Sequence, residues 1–171
     1  MKRILFYFLL LFQVSVVLLV VLQYNLIDKY GAEITLITQP WEEEYYEDDI
    51  LAYQDYTFEF EINTFAKDKW VGKEVNYQTP VFVLLKENQS GIYEIEKVTD
   101  KEIQTNKSKE IVLQGTNLYE SEADFFHVDY GFETVNVKNH QDLFEDFKVS
   151  EETEVTFKFA PWKQTKLIQI N

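Results

Sequence analysis

The sequence predicts an all-β domain, mainly an antiparallel β-sandwich or barrel-like fold with one short soluble helix, preceded by a single N-terminal transmembrane helix. Three observations carry that expectation. The chain opens on an apolar run, Ile4 to Leu22, interrupted only by Gln13 and Ser15. Beyond Gly31, about eight short runs alternate apolar and polar residues, the period of half-buried strands. NHQDLFEDF, from Asn139, instead spaces Leu143 and Phe147 at i and i+4, one face of a helix. A length of 171 residues holds one sizeable core plus a targeting segment.

The apolar run is 19 residues long, which at ~1.5 Å per residue makes ~28 Å of helix, close to the hydrocarbon thickness of a bilayer. Lys2 and Arg3 precede it, so the positive-inside rule keeps the N-terminus cytoplasmic and sends the rest outward. Gln23, Tyr24, Asn25, Leu26, Ile27 and Asp28 follow, with no small-x-small cleavage site, so the helix is expected to remain as an anchor. The expected organisation is a cytoplasmic N-terminus over 1–3, a signal-anchor helix over 4–23, a linker over 24–30 and an extracytoplasmic β-rich domain over 31–171. The chain is thus expected to be a single-pass protein of the cell membrane, with the lipid bilayer as a partner through residues 4–23.

Gly31 starts the first strand candidate, GAEITLIT, with Ile34 and Leu36 on one face. In YTFEFEI, Tyr56, Phe58, Phe60 and Ile62 point one way, while Thr57, Glu59 and Glu61 point the other. TPVFVLLKE and IYEIEKVT flank ENQSG as a hairpin. EIVLQGTNLY is a further strand, and FFHVDYGFETVNV another, expected to bend or bulge at Gly131. Asn139 is the expected cap of the helix, with Asp142 near its positive end. TEVTFKFA and KQTKLIQI close the chain as two alternating runs around a turn at Pro161. The predicted inward row is Ile34, Leu36, Phe58, Phe60, Val83, Leu85, Val112, Val155, Phe157 and Phe159, a core that needs no metal or disulfide.

The chain carries 16 Lys and Arg against 30 Asp and Glu, a net charge of −14. Without Lys2 and Arg3 the remainder stands at 14 − 30 = −16. So acidic a surface repels phosphate backbones, which argues against nucleic acid as a partner and favours cations or basic peptides. With no cysteine there is no disulfide, thiol nucleophile or thiolate metal site.

The acidity peaks in PWEEEYYEDD, from Pro40. Glu42, Glu43, Glu44, Glu47, Asp48, Asp49 and Asp55 offer hard oxygen ligands of the kind calcium takes, but the EF-hand spacing with its central glycine is absent. A solvated loop up to about Leu51, leading into a core strand, is the plainer expectation. As a surface for a cationic ligand or partner the stretch has more to offer, since Trp41, Tyr45, Tyr46 and Tyr53 add cation–π faces to the charge. The two histidines each head an H-x-D pair, His127 with Asp129 and His140 with Asp142. Two ligands fall short of a zinc site, which leaves surface histidines beside acids. A membrane anchor followed by a β-domain also describes type I signal peptidases. Their Ser-x-Met-x-Pro signature is missing, because the one methionine is Met1 and no serine lies between Thr35 and Trp41. No other serine stands in a nucleophile motif, so no catalytic residue, metal ligand or cofactor site is assigned.

Four segments in order, GAEITLIT, QDYTFEF, PVFVLLKE with its hairpin, and VDYGFETVNV with the acidic helix after it, resemble the GDYXXLXY proteins. At the eponymous motif Asp55 and Tyr56 agree while Gln54 replaces the glycine. In the second motif Tyr130, Gly131 and Glu133 agree. The resemblance implies a membrane-anchored domain of unassigned molecular function, associated with a multi-spanning membrane protein. The expected function is thus a binding or assembly module at the membrane, for an integral membrane partner or a cationic envelope ligand. Two alternatives stand beside it, a membrane-surface hydrolase using carboxylates and a sensor of divalent cations or cationic peptides.

Overall fold

The computed structural model describes residues 2–39, 55–72, 77–120, 125–145, 147–148 and 151–171. The chain begins with helix α1, Lys2–Tyr30. Among the described residues ten strands follow: β1 Ala32–Ile37, β2 Asp55–Thr57, β3 Thr64–Ala66, β4 Pro80–Glu87, β5 Tyr93–Thr99, β6 Glu110–Glu120, β7 Phe125–Asp129, β8 Thr134–Asn136, β9 Glu154–Phe159 and β10 Thr165–Ile170. A four-residue helix, α2 at Gln141–Phe144, lies between β8 and β9. The expected all-β class with one short helix is borne out. The strands form sheets in the orders β1-β9-β10, β2-β8 and β3-β7-β6-β4-β5. Neighbours in the five-stranded sheet are all antiparallel.

By its internal contacts the chain divides into two compact units, Met1–Glu33 with Phe157–Lys166, and Ile34–Thr156 with Leu167–Asn171. In the first, α1 does not stop at residue 23. Tyr24 to Tyr30 holds neither Gly nor Pro, so the expected linker over 24–30 continues the helix instead. Gly31 ends it, its N–H donating to the Ile27 carbonyl at 2.8 Å. A Cβ at Gly31 would lie 2.6 Å from that carbonyl oxygen and 3.2 Å from the Lys158 Cβ, which explains the glycine where helix and strand come close.

The side chains of α1 described without a break are 6–20. Phe6, Tyr7, Phe8, Leu9, Leu10, Leu11 and Phe12 are exposed one after another, and so are Val14, Val16, Val17, Leu18, Leu19, Val20 and Leu22. Seven consecutive exposed residues pass almost twice round the helix, so no face of this stretch is packed. Among the described residues no helix is long and apolar enough to cross a membrane.

In the second unit the alternation works as a strand pattern should. Val81, Val83 and Leu85 of β4 are fully buried and stand opposite Gly115, Leu113 and Ile111 of β6. That register places Leu113, not the predicted Val112, in the core, while Val112 is half-buried opposite Leu84. Ile34, Leu36, Phe58, Phe60 and Val155 are buried as expected. In the first unit Phe157 is buried, but Phe159, next to the turn, is only half-covered. The ENQSG hairpin forms as predicted, with Asn88 Oδ1 accepting from the N–H groups of Ser90 and Ile92 at 2.8 and 3.1 Å.

Three local expectations are corrected. YTFEFEI is not one strand: β2 ends at Thr57, and a 3-10 turn at Glu61–Asn63 intervenes before β3, although Phe58, Phe60 and Ile62 are all buried. FFHVDYGFETVNV breaks in two at Gly131, whose φ of +76° suits glycine and ends the strand rather than bending it. The soluble helix is only α2, with His140 rather than Asn139 at its N-cap, because a 3-10 turn at Val137–Asn139 takes up the expected cap. Its buried residue is Phe144, while Leu143 and Phe147 are half-covered.

Candidate functional site

β2 and β8 bring together segments about eighty residues apart in sequence, with Asp55, Tyr56 and Thr57 opposite Asn136, Val135 and Thr134. Side chains reinforce the ladder. Asn136 Nδ2 donates to Asp55 Oδ1 at 2.9 Å, and the hydroxyls of Thr57 and Thr134 are 3.0 Å apart. The backbone contact continues at Phe58, whose N–H donates to the Glu133 carbonyl at 3.0 Å. Tyr56 packs edge-on against Phe58, Phe144 and Phe147, with ring centroids 5.0, 5.8 and 5.3 Å away. Burial pushes its hydroxyl pKa up to about 12.

The turn after β7 is organised by two carboxylates. Asp129 Oδ1 accepts from the Gly131 N–H at 2.8 Å. Glu133, only 6% exposed, folds back over its own loop. Its Oε1 accepts from the Tyr130 N–H at 2.7 Å and its Oε2 from the Phe132 N–H at 2.8 Å. A third donor, Asn63 Nδ2, reaches Glu133 Oε1 at 2.8 Å. The Asn63 amide is itself fully engaged: Nδ2 also donates to the Val128 carbonyl at 2.8 Å, and Oδ1 accepts from the Phe60 N–H at 2.8 Å. The Tyr130 hydroxyl donates to the Ile62 carbonyl at 2.8 Å. Its pKa is driven well above the usual tyrosine range by burial, with the neighbouring Glu133 carboxylate adding to the rise. The buried contacts, those of Asn63 and of the Phe132 N–H, satisfy groups that would otherwise cost ~1–3 kcal/mol each.

Beside this knot lies a more accessible pair. Glu59 Oε1 stands 3.5 Å from His127 Nδ1, with 29% and 19% of the two side chains exposed. Burial raises the Glu59 pKa, His127 draws it back, and the charge of Glu133 raises it further. Thr64 of β3 stands opposite His127 of β7 in the register. Both side chains keep part of their surface open to solvent. By contrast, Glu133 is held by three donors as an acceptor and is spoken for structurally.

Asp55, Tyr56, Tyr130, Gly131 and Glu133 thus belong to one assembly that ties β2 and β8 to the turn after β7. Trp41, Glu42, Glu43, Glu44, Tyr45, Tyr46, Glu47, Asp48 and Asp49 lie outside the described residues. His127 faces Glu59 rather than the expected Asp129, which turns to the Gly131 N–H. His140 leads α2 without a side-chain cap bond, and Asp142 is exposed. Among the described residues no group of three or more His, Asp or Glu side chains could hold a metal.

Sequence reasoning passed over Asn63 and the pairing of Glu59. One signal was available for Asn63. The apolar phase runs through Phe58, Phe60 and Ile62 and then slips to Phe65, and Asn63 sits at the slip. Comparison with protein-family models, curated proteins and solved structures finds no match for this chain.

Proposed function

We propose that this protein is a membrane-anchored binding or assembly module. α1 crosses the bilayer with its N-terminus in the cytoplasm, and the β-rich domain serves an integral membrane partner or a cationic envelope ligand on the outer side. The observation that carries the proposal is the exposure of the apolar side chains of α1, at Phe6 to Phe12, Val14, Val16 to Val20 and Leu22. Water is a poor solvent for such a helix on every side, whereas lipid chains or partner helices suit it. The described run, 6–20, is short for a bilayer, but the sequence extends it to Ile4 and Leu22. Membership of the GDYXXLXY group is part of the proposal. It is supported by the way Asp55, Tyr56, Tyr130, Gly131 and Glu133 act together to hold the domain. Motif residues spent on architecture suit a binding module. The acidic stretch Trp41 to Asp49 is the proposed cationic surface, on its charge and aromatic content alone.

Two measurements test this. After alkaline carbonate extraction the full chain should stay with the membrane pellet, and its release would defeat the anchor. Replacing Glu42, Glu43 and Glu44 together with Gln should weaken capture on polylysine at low salt, where charge is least screened. Unchanged capture would defeat the acidic surface. The hydrolase alternative draws on the Glu59–His127 pair. It requires that Glu59→Gln abolish a hydrolytic activity on membrane-surface substrates.

A further inference from the structure

In the first compact unit the turn between β9 and β10 is fastened to the end of α1 at two levels. Gln164 Nε2 donates to Gln23 Oε1 at 3.2 Å. Farther along the helix, Lys158 Nζ donates to the Asp28 carbonyl at 3.2 Å and Lys166 Nζ to its carboxylate at 2.7 and 2.9 Å. Lys158 also pairs with Glu33 at 3.2 Å. From Gln23 to Asp28 the helix advances ~7.5 Å away from the apolar run. The hairpin therefore lies beside the last turns of α1 with its tip directed at that run, which ends one residue before Gln23.

The tip is Pro161, Trp162 and Lys163, all exposed. Trp162 is 38% exposed, and its indole N–H donates to Gln164 Oε1 at 2.8 Å, the same amide that touches Gln23. A tryptophan is thus held level with the end of an apolar helix. This ring, apolar with one polar edge, is enriched at the headgroup boundary of membranes. The charge agrees. In a chain of net charge −14, Phe157–Lys166 carries Lys158, Lys163 and Lys166 and no acid. Two of these lysines are fastened to the helix end, while Lys163, with φ of +68°, sits at the turn itself.

We infer that the β9–β10 tip is a second membrane contact, with Trp162 seated in the lipid headgroup boundary beside α1 and Lys163 at the phosphate level. The inference rests on the reading of α1 as a membrane anchor. It adds that the anchor and hairpin enter the interface as one braced unit.

The test uses the full chain with Trp41→Phe and Trp70→Phe, leaving Trp162 as reporter, in phosphatidylcholine vesicles. Flotation comes first: a chain that does not float with vesicles overturns the anchor reading itself. In floated vesicles, lipids brominated near the headgroup end should quench Trp162 at least about twofold, and more than lipids brominated near the tail end. A matching chain that keeps only Trp70 provides the reference and should be quenched less. A floated chain whose Trp162 emission ignores brominated lipid overturns the inference. Should the double Phe background fail to fold, Trp162→Cys bearing a nitroxide decides instead, in a chain that has no other cysteine. Collision with oxygen exceeding collision with a water-soluble nickel chelate supports the interfacial tip, and the reverse overturns it.

Discussion

In α1 the residues Phe6 to Phe12 are exposed one after another, whereas in β4 burial alternates, with Val81, Val83 and Leu85 fully covered and Lys86 in solvent. Both segments are built from the same kinds of apolar side chain. The strand buries one face fully and leaves the other, with Phe82 and Leu84, half-covered. The helix offers water no face at all. Each large apolar side chain left in water forgoes ~1.5–3 kcal/mol, and that difference is what the proposed membrane setting of α1 accounts for.

The largest test of that comparison places charge in the helix. Val16→Lys with Leu18→Lys puts two ammonium groups inside the apolar run, at a cost of up to roughly 2.5–3.5 kcal/mol each for insertion. The variant should be lost from the membrane fraction while the melting of the β-domain is unchanged. Retention at the wild-type level would break the contrast.

A core substitution acts on the other side. Phe58, 1% exposed and ringed by Tyr56, Phe60, Phe144 and Phe147, should lose about 3–5 kcal/mol of stability on replacement by Ala. Urea unfolding in detergent measures this, and membrane retention should not move. A loss below about 1 kcal/mol would mean that the ring cluster is not a tight core.

Smaller effects sharpen the polar part of the domain. Glu133→Gln keeps the shape but exchanges one oxygen for an NH2 group that must face a donor, Tyr130 N–H, Phe132 N–H or Asn63 Nδ2. The expected cost is about 2–3 kcal/mol. A neutral result would show the knot to be dispensable.

The smallest effect is one of pH. Because the Glu59 pKa is raised in the fold, first by burial, the protonated form is favoured there. Its contribution is present below the ordinary glutamate range and lost as pH rises through the raised value. Glu59→Gln should therefore gain stability relative to wild type between about pH 4 and pH 7. A relative loss over that window would mean that attraction to His127 outweighs burial.

Much of this fold was legible because period-two burial leaves a plain trace. Val83, Leu85, Phe58, Phe60 and Phe157 sit where the alternation put them. Val112 was misplaced because IVL offers no polar residue to set the phase, and only the register against β4 chooses Leu113. The break at Gly131 and the turn at Glu61–Asn63 depend on hydrogen bonds from residues far apart in sequence, Asn63 to Val128 and Glu133, which no local pattern contains. The same holds for the Glu59–His127 pair. The motif residues could be picked out by resemblance, but their work, joining β2 to β8 and closing the turn, became visible only through pairing. The continued helix over 24–30 was obscured by its shift from apolar to polar residues, although nothing in that stretch breaks a helix.

The absence of cysteine makes one measurement especially direct. Ser90→Cys places a single thiol in the exposed β4–β5 loop of the full-length chain. In intact cells, with any outer envelope permeabilised, a maleimide that cannot cross the cell membrane should label it before lysis, and the labelled chain should pellet with membranes. Labelling that appears only after lysis, or a labelled chain that remains in the soluble fraction, would contradict the proposed anchored, outward-facing domain.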